Sequence, residues 1–391
     1  MAGAKGLPAD LLAAIYRRCT SAYDRARFAA VSTSWRAVAS WHPKLPAIPL
    51  LLPSTANGRR DRMTRAYSPE DGRVLRAPLP GLPKCRQIVG SHDGGWVAAA
   101  TGSRIVVVNL FGRGRVLLSR DFTCTCPSAR QAAHKISVQK IIFSEDPVSK
   151  GCILAAITTT GCKIGLYRRG SLEDGGADGG WITRGCGWVD DGFPALKDIA
   201  FCNGELYGLS WTKMLYRFVI GQNKSGAPVI TSVDQVTMAP MGYGDAEYII
   251  ELCGKLAIAL EISNPSKGKK ITVFELAVNP NKTTWSSLYV WVKVVNLGEH
   301  ALFLGAGCCK AVHVSSTADK RGIVEANCIY YSSNDDYPSS LVRLDLGSCF
   351  VYCCESNLHH SQRIVSRGYH CYPKEDRSGN YSCTWVLPPQ F

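Results

Sequence analysis

Long hydrophobic runs are missing from this sequence. No stretch approaches the roughly 18 uninterrupted apolar residues that a membrane helix requires, and the opening MAGAKGLPADLL has no apolar core of signal-peptide length before its first charges. A chain kept in the cytoplasm, the nucleus or both is therefore expected, with no membrane partner. Catalytic signatures are missing too: there is no Walker-type phosphate loop, zinc-protease His-Glu pair, nucleophile elbow or complete dinucleotide fingerprint. Gly112 with Gly114, and Gly305 with Gly307, are half-matches that lack a third glycine and a following helix, and they read as turn glycines. No short-range Ser, His and Asp arrangement stands out, although a triad assembled across a fold is invisible in sequence. The chain is expected not to be an enzyme and to carry no cofactor.

What is present fits a folded chain of several modules. There are 391 residues, 46% hydrophobic and 19% charged, which argues against a mainly disordered polymer. The formal net charge is +14, and residues 1–80 alone carry 13 Lys plus Arg against 5 Asp plus Glu. A basic end can meet nucleic acid, an acidic membrane or an acidic protein. The clusters Arg17-Arg18, Arg59-Arg60, Arg168-Arg169 and Lys267 with Lys269-Lys270 are short and dispersed, and none lies in a zinc-finger, basic-zipper or aromatic RNA-binding motif. No nucleic-acid partner is expected.

Cysteine is plentiful, with 17 residues, but the count is odd and spread over a long chain without an export signal. The cysteines read as reduced small hydrophobes, and the sequons at Asn223, Asn281 and Asn380 as chance matches. The sharpest metal candidate is the set Cys349, Cys353, Cys354, His359, His360, His370 and Cys371. It lacks paired-cysteine zinc spacing, and adjacent Cys353 and Cys354 on a strand would point to opposite faces, so no metal site is expected. Cys124 with Cys126, and Cys308-Cys309, are treated alike.

Residues 7–42 are the clearly helical part. Leu7, Leu11, Leu12, Ile15 and Cys19 form one stripe of a helix that Pro8 can begin without losing a needed hydrogen bond. A second stripe runs Phe28, Val31, Trp35 and Val38, with Ser32 and Ser34 placed to cap a new helix. Three short helices with breaks near Ser21 and Ser32 are expected. A unit of this size sits below the roughly 40 residues at which a domain buries its own core unaided, so its stripes need a partner.

These residues resemble the F-box, the helical motif that binds the Skp-type adaptor of cullin-RING ubiquitin ligases. Leu7-Pro8, Leu11-Leu12, Ile15, Asp24, Phe28, Val31-Ser32 and Trp35-Arg36 follow its order and spacing; Cys19 departs from the usual leucine. The resemblance implies that Leu7, Pro8, Leu11, Ile15, Val31 and Trp35 face the adaptor, and through it a cullin. Leu12, Phe28 and Val38 would be shared between core and interface. The bland alternative is a helical cap that binds no adaptor.

After Trp41 the chain passes through a proline-rich and basic stretch and then becomes strand-like. Runs such as GWVAAA, RIVVVNL, KIIFS, ELYGLS, EYIIEL and KLAIALEI are bounded by Gly, Asn, Asp, Ser or Pro. Several apolar hairpins turn at Gly102, Gly161, Gly204, Gly254 and Gly305, separated by 59, 43, 50 and 51 residues. A degenerate repeat of about 50 residues carrying several strands is the mark of a propeller blade, because a lone four-stranded sheet cannot bury both faces. About six or seven blades are expected. The tryptophans Trp96, Trp181, Trp188, Trp211, Trp285, Trp291 and Trp385 read as blade-core residues, with room for one or two at a loop tip to anchor a partner.

The order CRQIVGSHDGGWVAAA, KIIFSEDP, KDIAFCNGELYGL, EYIIELCGKLAIAL, WVKVVNLGEHALFLG and NCIYYSSND resembles the plant family that joins an F-box to a kelch-like (KIB-type) propeller. Val108-Asn109-Leu110-Phe111 departs from its usual Asn-Pro pair. The resemblance implies an F-box at 5–45, a connector at 46–66 and a target-binding β-propeller at 67–391. It also implies a substrate receptor of an SCF-type ligase that holds a target protein the sequence does not name. The runner-up is a propeller scaffold or inhibitor whose F-box no longer binds the adaptor.

Overall fold

In the computed structural model the described residues are 7–19, 22–42, 47–53, 64–69, 73–77, 82, 87–101, 104–112, 114–119, 121–124, 134–135, 138–158, 163–168, 181–185, 195–240, 246–264, 268–279, 288–314, 324–332, 341–345, 351–352 and 383–389. The first of them form three helices: α1 (Ala9–Arg18), α2 (Ala22–Ala30) and α3 (Thr33–Ser40). Pro8 opens α1, and its carbonyl accepts the first helical bond from the Leu12 amide at 3.1 Å. Asp10 lies in the first turn and Arg17 and Arg18 in the last, each where the helix dipole favours its charge. Ser32 caps α3 by accepting from the Trp35 amide at 3.4 Å.

The strands follow as six sheets. Blade 1 holds Leu50–Pro53, Thr64–Ser68 and Arg73–Ala77, and blade 2 holds Gln87–His92, Trp96–Ala100, Arg104–Asn109 and Arg115–Ser119. Blade 3 is built on Val138–Phe143, Ile153–Thr158, Lys163–Arg168 and Trp181–Gly185, extended by Asp121–Cys124 and His134–Lys135. Blade 4 comprises Leu196–Cys202, Glu205–Ser210, Met214–Gln222 and Pro228–Met238; blade 5 comprises Ala246–Leu252, Lys255–Asn264, Gly268–Val278 and Tyr289–Lys293. Blade 6 orders Lys310–His313, His300–Leu304, Cys328–Ser332, Leu341–Asp345 and Val351–Tyr352.

The ring closes through Cys383–Val386, which pairs antiparallel with Leu50–Pro53 so that blade 1 is built from both ends of the fold. Leu50–Pro53 lies in the stretch expected to be an irregular connector. Its flanking prolines hide it in sequence, and its partner is far away in the chain. Pro53 is tolerated at a strand end, where a missing N–H costs little.

Alternation along the strands sends apolar side chains to both faces of each blade, and one cluster fills each gap in the ring. Leu52 and Ala66 meet Ile88 and Val97; Val89 and Ile105 meet Ile141 and Phe143; Ala155 and Ile157 meet Ile199 and Phe218. Leu209 and Leu215 meet Ile249 and Ile258; Ile250 and Val273 meet Leu302 and Ile329; Phe303 and Tyr330 meet Leu51 and Trp385. Backbone approach is tight in places: a Cβ at Gly90 would sit 2.0 Å from the Ile141 carbonyl oxygen. At Asn203-Gly204 both residues have positive φ, 50° and 78°, the two-residue turn that Asn-Gly favours.

Candidate functional site

The helical module closes a small core of its own. Leu12, Ala13, Tyr16, Phe28, Val38 and Ala39 are buried together, with Cys19, Ala29 and Trp35 packed against them. Tyr16 is the centre. Its ring meets Phe28 edge-on at 5.2 Å and stacks on His42 at 4.9 Å, and the Arg25 guanidinium lies 5.2 Å from its centroid. The sequence stripes did not include Tyr16, since a phenol among arginines reads as surface.

The sequence-selected residues divide cleanly. Leu12 and Phe28 lie in that core, while Leu7, Pro8, Leu11, Ile15 and Val31 are exposed, Leu11 at 49% and Val31 at 51%. Trp35 is half-buried, its ring 4.5 Å from Phe28. Arg17, Arg18 and Arg27 are exposed beside them, whereas Arg25 donates to the Cys19 carbonyl at 2.9 Å.

Polar groups cross-link the propeller. Lys140 of blade 3 and Asp198 of blade 4 are buried and form an ion pair at 2.5 Å. The same carboxylate accepts from the Ile199 amide at 2.9 Å and from the Ile249 amide of blade 5 at 3.0 Å. One side chain thus ties three blades. Burial alone would lower the Lys140 pKa, but the Asp198 charge, the Cys309 neighbour and the hydrogen bond outweigh it and hold the ammonium above the ordinary lysine range. Across the other joints, Trp385 Nε1 donates to the Leu304 carbonyl at 2.9 Å, and Ser91 Oγ donates to the Trp385 carbonyl at 2.5 Å. Asn203 Nδ2 donates to the Gly254 carbonyl at 2.7 Å, and Lys310 pairs with Asp93 at 2.7 Å.

The described thiols differ in burial. Cys152, Cys202, Cys308 and Cys328 are buried. Burial pushes the Cys152 and Cys202 thiols up to about 11 and Cys309 up to about 12, so all three are inert at neutral pH. Cys253 is exposed, with its sulfur 3.7 and 3.6 Å from the two nitrogens of His300. A sulfur equidistant from both nitrogens makes no directed S–H···N bond, so no nucleophile–base pair is defined. Among the described residues no three His, Cys, Asp or Glu side chains gather as ion ligands. Cys126, Cys349, Cys353, Cys354, His359, His360, His370 and Cys371 fall outside the described residues, and the side chain of Cys124 outside the described side chains.

The described tryptophans fall into both expected groups, blade core and loop tip. Trp96, Trp181 and Trp385 are blade-core residues, Trp291 is half-buried, and Trp188 and Trp285 lie outside the described residues. Trp211 is 60% exposed at the turn between Glu205–Ser210 and Met214–Gln222. Its backbone amide donates to the Ala195 carbonyl, just beyond the Leu196–Ser210 pair that ends the ladder.

Six sheets in a closed ring, preceded by a three-helix module with an exposed apolar stripe, define a β-propeller. Residues 66–353 match the family described as the KIB1-4 beta-propeller, and the chain belongs to that family. No curated protein matches it in sequence. Among solved structures it is similar to Hsv2p of Kluyveromyces lactis, with 13% identity over 64% of this chain and 71% of that one, at a TM-score of 0.34. It is also similar to BBS1N in complex with ARL6DN, with 12% identity over 71% and 80% and a TM-score of 0.32. The N-terminal domain of Nup159 shares 9% identity over 77% and 71%, with a TM-score of 0.30. Likeness this distant carries no functional argument. No helix among the described residues is long and apolar enough to cross a membrane.

Proposed function

We propose that this chain is the substrate-recognition subunit of a cullin-RING ubiquitin ligase of the SCF type. In this reading α1–α3 are an F-box that docks on a Skp-type adaptor, and the propeller holds a target protein for ubiquitination. The observation that supports it is the exposure of Leu7, Leu11, Ile15 and Val31 around a core that is already closed without them. Each large aliphatic side chain buried against a partner contributes about 1.5 to 3 kcal/mol, enough for a small patch to hold a complex. The receptor itself needs no catalytic group and no cofactor. It works by effective concentration, keeping a target lysine near the thioester of the ubiquitin-loaded enzyme that the cullin holds. Such a subunit acts in the cytoplasm or nucleus. Arg17, Arg18 and Arg27 would steer an acidic adaptor, so association slows as salt rises.

The test is co-purification of the full chain with adaptor and cullin. Wild type is expected to capture both and Leu11→Asp neither, with the two proteins melting alike. Capture that survives Leu11→Asp removes the proposed interface.

A further inference from the structure

The exposed Trp211 stands in a turn that is held at every point. Its amide donates to the Ala195 carbonyl at 3.0 Å, and the Lys213 amide donates to the Ser210 carbonyl at 2.9 Å. The Met214 amide donates to Ser210 Oγ at 3.0 Å, the Ser210 and Thr212 hydroxyls share a bond of 2.8 Å, and the Ala239 amide donates to the Lys213 carbonyl at 2.7 Å. Lys213 sits at the corner with φ +66°, a conformation unusual for a residue with a Cβ. A rigid turn that presents a large aromatic ring to solvent has little left to order when something binds there.

The surroundings give that ring a chemistry. Met238, 50% exposed, pairs across the sheet with Met214 and so adjoins the turn. Lys197 places its ammonium 5.1 Å from the Trp211 centroid. Lys197 and Lys213 flank the buried carboxylate of Glu247 on blade 5, at 3.6 and 3.2 Å. The longer of these is no hydrogen bond, and the Glu247 Oε2 facing Lys197 has no hydrogen-bond partner. Among the described residues Lys197 therefore makes an ion pair and a ring contact but donates no hydrogen bond, although an ammonium has three donors.

Among the described residues, charge differs between the two ends of the ring. Arg104 of blade 2 stands exposed at the equivalent second-to-third-strand turn, and the carboxylates described beside this end, Glu247 and Asp198, are buried. Turns at the opposite end carry Asp93, Glu145, Asp146, Glu205 and Glu251 among their lysines. At the Trp211 end two partly buried ammonium groups share the single buried carboxylate of Glu247, which leaves a local excess of positive charge that favours approaching carboxylates.

We propose that the Trp211 turn, with Met238, Lys197 and Lys213, is the docking surface for an extended acidic segment of the target protein. An apolar side chain of that segment rests on Trp211 and Met238, and its carboxylates accept from Lys197 and Lys213. The proposal rests on the receptor reading for its biological meaning, but its chemistry is independent of the adaptor.

The experiment uses the full chain and fluorescence anisotropy of three labelled probes: a twelve-residue peptide alternating glutamate and leucine, its lysine–leucine counterpart, and a twelve-nucleotide thymidine strand. The glutamate–leucine peptide is expected to bind best, and more weakly as salt rises. Trp211→Ala should weaken it roughly 10- to 30-fold. Lys197→Gln and Lys213→Asn, the latter chosen because asparagine accepts positive φ, should each weaken it several-fold and flatten the salt dependence. Val148→Ala, at an exposed position on the opposite end, should change nothing. Equal binding of acidic and basic peptides, no binding of either, tighter capture of the thymidine strand, or wild-type affinity in Trp211→Ala would each overturn the proposal. Adaptor capture measured on the same preparations separates the two readings: its loss with peptide binding intact sinks the ligase assignment alone, and the converse sinks this surface alone.

Discussion

In the propeller the large anchors Trp181, Trp385, Phe218 and Phe303 all end between two sheets, whereas in the helical module Leu11, Ile15 and Val31 stay in solvent beside a closed core. Ring geometry explains the difference. Each blade finds a neighbour on both faces, so six short sheets complete one another without outside help. Three helices totalling fewer than 30 residues cannot enclose two stripes at once. One stripe packs inward around Tyr16, and the other stays in solvent, where the proposed adaptor would cover it.

The contrast can be broken at several points. Trp385→Ala has the largest expected effect, about 5 kcal/mol, because it empties the joint where the ring closes and removes the bond to Leu304. Urea unfolding followed by circular dichroism reads it, and an unchanged midpoint would deny that this joint matters. Asp198→Ala should cost about 3 to 4 kcal/mol by leaving the Lys140 ammonium buried without its counter-charge. Adding Lys140→Met should restore most of that loss; a double variant as unstable as the single would contradict the ion-pair account. The sign with pH follows from the raised Lys140 value. The pair's contribution is whole below the ordinary lysine value of 10.5 and is lost as pH climbs through the higher folded one.

Within the helices, Phe28→Ala should cost about 3 kcal/mol locally and abolish adaptor capture while the main propeller transition stays put. Leu11→Asp sharpens the comparison from the other side, changing stability by less than about 0.5 kcal/mol while abolishing capture. The smallest effect belongs to His92. Burial, with Lys310 nearby, holds its pKa below the ordinary 6.5, so its stabilising share is full above that value and declines as pH falls toward the folded one. His92→Gln should remove that acid-side slope from the melting temperature; a slope that persists unchanged assigns it elsewhere.

Local signals were legible and long-range ones were not. Pro8, Ser32 and the Asn203-Gly204 turn act through their own backbone, and the structure places them where the residue types direct. The six inter-blade clusters follow from alternation plus an even repeat. Leu50–Pro53 was invisible because a four-residue strand beside prolines is defined only by its distant partner. Trp211 is a loop-tip tryptophan of the kind the sequence left room for, but which indole that would be was not legible, because its turn is held by a bond to the Ala195 carbonyl, distant in sequence. The exposed helical stripe was legible as amphipathicity, while its inner counterpart centred on Tyr16 needed three helices to be assembled.

The pairing of Cys383–Val386 with Leu50–Pro53 sets a timetable for biosynthesis. A ribosome adding about 5 to 20 residues per second needs on the order of 15 to 70 seconds between those two segments. Throughout that wait the first sheet offers an unpaired edge, the kind of surface on which nascent chains stick to one another. The helices precede both segments, so they can close their own core while the ring still waits for its last strand.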